Sequence, residues 1–74
     1  MTHAAEDLRG YAGAIKRLAA SKLDFTRNPN AIKRYAHDPR ALAGMAADAN
    51  EALKGAALLD QYAAVIDARK KGAA

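Results

Sequence analysis

The stretch Phe25-Thr26-Arg27-Asn28-Pro29-Asn30-Ala31-Ile32-Lys33-Arg34-Tyr35-Ala36-His37-Asp38-Pro39 decides how this chain is divided. Each of its two prolines follows a residue with a short polar side chain. Proline pushes the residue before it out of the α region. It also fits the first position of a helix, where its missing N–H is not needed. Asn and Asp are good N-caps, because their side-chain oxygens accept from the free N–H groups of the first turn. Asn28-Pro29 and Asp38-Pro39 therefore each predict the end of one helix and the start of the next. Between them fits a short helix from Pro29 to about Ala36, with Ile32, Tyr35 and Ala36 as a small apolar face.

Upstream, the pattern predicts a helix from about Ala4 to Asp24. Glu6 and Asp7 stand in its opening turns, where the positive helix end favours acids. Leu8, Tyr11, Ile15, Leu18 and Phe25 recur every three or four residues, and Ala4, Ala12 and Ala19 widen that stripe. Such spacing marks one face of a helix. Glu6, Arg9, Gly13, Lys16, Arg17 and Asp24 fall elsewhere.

Downstream, Asp38 caps a third helix, and no proline interrupts the helix formers up to Lys71. Two apolar stripes run along it. Leu42, Met45, Ala46, Ala49, Leu53 and Ala56 share one face, which Asp60 and Asp67 then continue. Leu58, Leu59, Tyr62, Val65 and Ile66 lie on a face rotated by roughly half a turn. Gly55 can be read as a helix-ending glycine, but no N-cap follows it. The preferred reading is one continuous helix, with Gly55 as the place where it can bend. The expected fold is all-α: one domain spanning 1–74, a small bundle of a long, a short and a long helix. Strand signals are almost missing, with one valine in the chain and no alternating run.

Of 74 residues 51% are apolar, but most of these are alanine. Alanine favours helix and buries little area. The result is firm local structure over a thin core, and partner chains are the natural remedy for so small a domain. A single hairpin partner cannot cover both stripes of the third helix. The surface Leu58, Leu59, Tyr62, Val65 and Ile66 is therefore expected to join copies into a homo-oligomer.

No cysteine is present, which removes disulfides, thiolate metal sites and a thiol nucleophile. No apolar run reaches the ~20 residues that span a bilayer. The first residues lack the apolar centre of a secretion signal. The default expectation is a soluble cytoplasmic protein with no membrane partner.

Nothing resembles a catalytic centre. His3 and Asp7 are four residues apart, but two ligands make a poor zinc site. His37 adjoins Asp38 at the expected end of the second helix, where a cationic imidazole suits the helix dipole. Ser21 has no histidine at helical spacing. Gly10 and Gly13 lie inside a helical pattern, not after a strand. Neither enzyme chemistry nor a metal or cofactor is expected.

The basic residues are less evenly spread. Lys16, Arg17, Lys22, Arg27, Lys33, Arg34 and Arg40 crowd the middle of a chain of net charge +4, against only Asp24 and Asp38. Lys22, Arg27, Lys33, Arg34 and Arg40 are expected to form a binding surface for an acidic protein. The alternative is phosphate contact, as a nucleic-acid-binding protein without sequence preference. A helix-turn-helix reader fits poorly. A helix beginning at Pro39 would offer bases only Arg40, and Asp48 and Glu51 follow. The function expected from sequence is thus a non-enzymatic protein-binding module. By association alone, small alanine-rich chains of this kind suggest an accessory factor of a phage or mobile element: an inhibitor, adaptor or virion component.

Overall fold

The computed structural model describes residues 4–73 as three helices: α1 Ala4–Arg27, α2 Pro29–Arg34 and α3 Pro39–Ala73. No strand occurs among the described residues. Thr2 and His3 lie outside them.

Both prolines occupy the first position of a helix, as their spacing predicts. Asn28 has extended backbone, and its side-chain oxygen accepts from the Asn30 N–H at 2.8 Å. At Asp38 the backbone does the work. Its carbonyl accepts from the Ala41 N–H at 3.1 Å, while its carboxylate makes no hydrogen bond to the helix. Its stabilising effect is that of an exposed acid at a positive helix end. The first helix runs one turn past the expected Asp24, to Arg27. The extra turn carries a hydrogen bond from the Thr26 hydroxyl to the Leu23 carbonyl at 2.7 Å. The second helix stops at Arg34 rather than Ala36, and a turn over Tyr35–His37 leads into α3.

The third helix is continuous through Gly55. Its 35 residues span about 52 Å at 1.5 Å per residue. It forms the long axis of a rod measuring 59 × 15 × 14 Å. The first helix packs along it in the opposite direction: Arg9 pairs with Asp67, and Lys16, further along α1, pairs with Asp60, further back along α3. The short α2 folds against the end of α1. There Phe25 and Tyr35 meet edge to face at 6.3 Å and Ala31 is buried.

The seam between the long helices is made of alanine. Ala5, Ala12 and Ala19 on α1 and Ala49, Ala56 and Ala63 on α3 are buried, each set at a spacing of seven. With Ala31 they are the whole buried set among the described residues. A seven-residue repeat keeps one stripe facing a partner helix along its length. A methyl group is the smallest side chain that can fill such a stripe, so it lets two helix backbones approach closely.

This reverses the expectation for α1. Ala12 and Ala19 were to widen a stripe of large side chains. Instead the alanines are the seam, and Tyr11 and Leu18 stand outside it, each 67% exposed. The physical reason is distance. Large residues between the helices would hold apart backbones that alanine lets close.

Gly10 and Gly44 are exposed, and a Cβ at either would meet nothing within 4 Å. Neither glycine is needed for packing, and each costs about 1 kcal/mol against alanine in a helix. Gly10→Ala and Gly44→Ala should each raise the melting temperature by roughly 4–8 °C, given the usual entropy of a domain this size. Thermal circular dichroism of the single variants checks this.

Candidate functional site

The hairpin has two unlike sides, and the repeat explains why. Arg9 and Lys16 each follow a seam alanine by four residues, which is about 40° round the helix. Asp60 and Asp67 follow Ala56 and Ala63 by the same step on α3. Equal offsets on antiparallel helices fall on the same side, so the acids and bases meet there as Arg9–Asp67 and Lys16–Asp60. The Arg9 hydrogen bond holds the Asp67 carboxyl below its ordinary value, against the opposing effect of partial desolvation. Asp67 in turn raises the Arg9 guanidinium.

A carboxylate with a lowered folded pKa adds stability above its unfolded pKa, near 3.9 for Asp. That contribution is lost as pH falls through the folded value. In Arg9→Gln, the NMR titration midpoint of the Asp67 carboxyl should therefore rise toward the ordinary value. An unchanged midpoint would show that the pair does not form in solution.

The opposite side is apolar. Tyr11 and Leu18 each precede a seam alanine by one residue, about 100° round in the other direction. On α3, Tyr62 holds the same place beside Ala63 and is 64% exposed. Leu58 and Val65 lie further round and are also exposed. Leu8, Ile15, Leu59 and Ile66, between this row and the seam, are half-buried. Two shallow depressions open here. One is lined by Leu58, Gln61, Tyr62 and Val65, the other by Ile15, Leu18, Ala19, Lys22, Ala49 and Ala52.

Of the apolar residues singled out from sequence, Leu58, Tyr62 and Val65 are thus exposed, and Leu59 and Ile66 tilt toward the hairpin. Sequence reasoning missed that Tyr11 and Leu18 join them. The signal was available in the alanine repeat 5, 12, 19.

The basic residues gather at the looped end of the rod. Lys22 and Arg27 lie in the last turns of α1, Lys33 and Arg34 end α2, and Arg40 opens α3. All five are exposed. Between residues 22 and 40 five cations face two carboxylates, Asp24 and Asp38. Lys16 and Arg17 stand further along α1, and Lys16 is committed to Asp60.

Among the described residues, no cluster of three or more His, Cys, Asp or Glu side chains could hold a metal ion. None of the helices among the described residues is long and apolar enough to cross a membrane. Comparison with known protein families, curated proteins and solved structures finds no match.

Proposed function

We propose that this chain is a non-enzymatic protein-binding module, assembled from its own copies and carrying a basic surface for an acidic protein. The apolar side of the hairpin supports the first half of that reading. Exposed large apolar side chains grouped on one face of a small protein mark an interaction surface. The basic end supports the second half, because grouped exposed cations steer acidic partners. A module with two such surfaces suits an accessory role: an inhibitor, an adaptor or a virion component.

The observation that carries the reading is that Tyr11, Leu18 and Tyr62 share one face. Sedimentation equilibrium at micromolar concentration tests it. Copies should associate, and a lone 7.8 kDa species would overturn the assembly.

The basic end has its own test. Lys33→Glu combined with Arg34→Glu should abolish capture of an acidic partner, with the circular dichroism spectrum unchanged. Binding by the unaltered chain should weaken as salt rises, since exposed charges are screened beyond ~10 Å at 0.1 M. Binding insensitive to both would move the functional surface to the apolar face. Tight binding to random DNA with a steep salt slope would instead favour a nucleic-acid-binding protein.

A further inference from the structure

The seam explains how two helices meet, but it leaves the molecule unusually open. The chain exposes 5716 Å², whereas a compact monomer of 7.8 kDa exposes about 4400 Å². The excess of about 1300 Å² is more than the ~800 Å² that each partner buries in a standard interface. The radius of gyration is 17.1 Å, against about 11 Å for a compact chain of this length.

We infer that a second copy covers the apolar side, in a two-fold four-helix bundle that sets α1 of each copy against α3 of the other at the same height. This rests on the protein-binding reading and names its partner and geometry.

The repeat supplies the layers of such a bundle. In a four-helix bundle each helix touches two neighbours about a quarter-turn apart. On α1 the alanine row faces α3, and the row of Tyr11 and Leu18 stands about a quarter-turn away. Half-buried Leu8 and Ile15 lie between the two rows, toward the bundle axis. On α3 the same three positions are filled by Ala63, Tyr62 and half-buried Ile66. Side chains that the hairpin only half covers become the centre of the bundle.

The occupant is a copy and not an acidic stranger because this face has no charge from Leu8 to Leu18 or at Gly55, Leu59, Tyr62 and Ile66. An acidic partner gains nothing there, while two copies meet over that length with apolar side chains on both sides. A face two helices wide is also covered fully by another of the same width.

Orientation follows from where the apolar residues lie along the rod. Tyr11, Ile15, Leu59 and Tyr62 occupy the half away from the loops. Lys22 and Asp48 occupy the corresponding positions in the looped half. Same-height pairing puts apolar half on apolar half. The reversed pairing would lay Lys22 against Leu59 or Ile66 and leave part of each patch in water. Same-height pairing does bring the two basic ends together. Those charges are exposed and screened within ~8 Å at physiological salt, so burial of the large apolar side chains outweighs them.

The chain has no cysteine, so one spin label can be placed cleanly in the full chain at Ala36→Cys, an exposed site at the looped end. Pulsed electron–electron resonance should then give one distance within the bundle width, roughly 20–30 Å for helices packed 8–10 Å apart. A distance near the 59 Å length of the rod would overturn the orientation and leave self-association standing. A concentration-independent monomer in sedimentation would overturn the inference and the assembly reading together. Adding Leu18→Glu to the labelled chain should abolish the short distance while the helical spectrum persists. A short distance that survives Leu18→Glu would place the contact elsewhere and sink the inference.

Discussion

Replacing Ala56 by leucine should lower stability by about 3 kcal/mol, the upper end of the usual range for overpacking. Ala56 is 0% exposed and lies mid-seam, with Ala49 and Ala63 one repeat away on either side. In most cores an added side chain finds slack among flexible neighbours. Here the neighbours are methyl groups and two helix backbones, which cannot turn aside. The leucine must push α1 and α3 apart, and the whole seam loses contact. At this size a loss of about 3 kcal/mol corresponds to a fall in melting temperature of roughly 12–24 °C. Ala57→Leu, one residue on and exposed, should have almost no effect and serves as the control for helix propensity. If both variants melt like the unaltered chain, the alanine seam does not hold the hairpin closed.

That seam is also where the sequence reads most ambiguously. The helix boundaries are legible because their chemistry is local. Asn28-Pro29 and Asp38-Pro39 state their starts within two residues, and the structure starts helices at both prolines. Continuity through Gly55 follows from the missing N-cap after it. Which face of α1 is buried is not local information. Leu8, Tyr11, Ile15 and Leu18 form the stronger hydrophobic stripe by side-chain size, and size ordinarily decides what goes inside. What decides here is the match between two alanine repeats separated by thirty residues or more, 5-12-19 and 49-56-63. Either repeat alone is commonplace in an alanine-rich chain.

The charges carry the same message. Asp60 and Asp67 look like interruptions of an apolar stripe when α3 is read alone. Beside Arg9 and Lys16, at the identical spacing of seven, they are the edge of the seam. Opposite charges at matched repeats on two helices thus tell which sides meet and in which direction the helices run. Where the basic residues lie is, by contrast, local information. Its cations are close in sequence, and the two proline junctions hold α2 at the end of the hairpin, so sequence proximity becomes spatial proximity.

Tyr62→Lys should weaken self-association by at least about 100-fold with helix content unchanged. Burying a large apolar side chain contributes roughly 1.5–3 kcal/mol, and in a two-fold assembly one substitution removes two of them. The loss is then about 3–6 kcal/mol, and each 1.4 kcal/mol is a factor of ten in affinity. Each lysine adds an unpaired charge to an uncharged face, which deepens the loss. Helix content is spared because Tyr62 is exposed in the hairpin and lysine is the better helix former. Ala64→Lys adds the same charge two residues away, on the side of the ion pairs, and should leave association intact. The comparison is made by sedimentation equilibrium over a range from nanomolar to millimolar, with circular dichroism on the same samples. Equal weakening by both variants would trace the effect to net charge, and the apolar face would lose its part in assembly. Loss confined to Tyr62→Lys would tie assembly to the face that the alanine seam leaves outside, since drawing the backbones together is what turns Tyr11, Leu18 and Tyr62 outward.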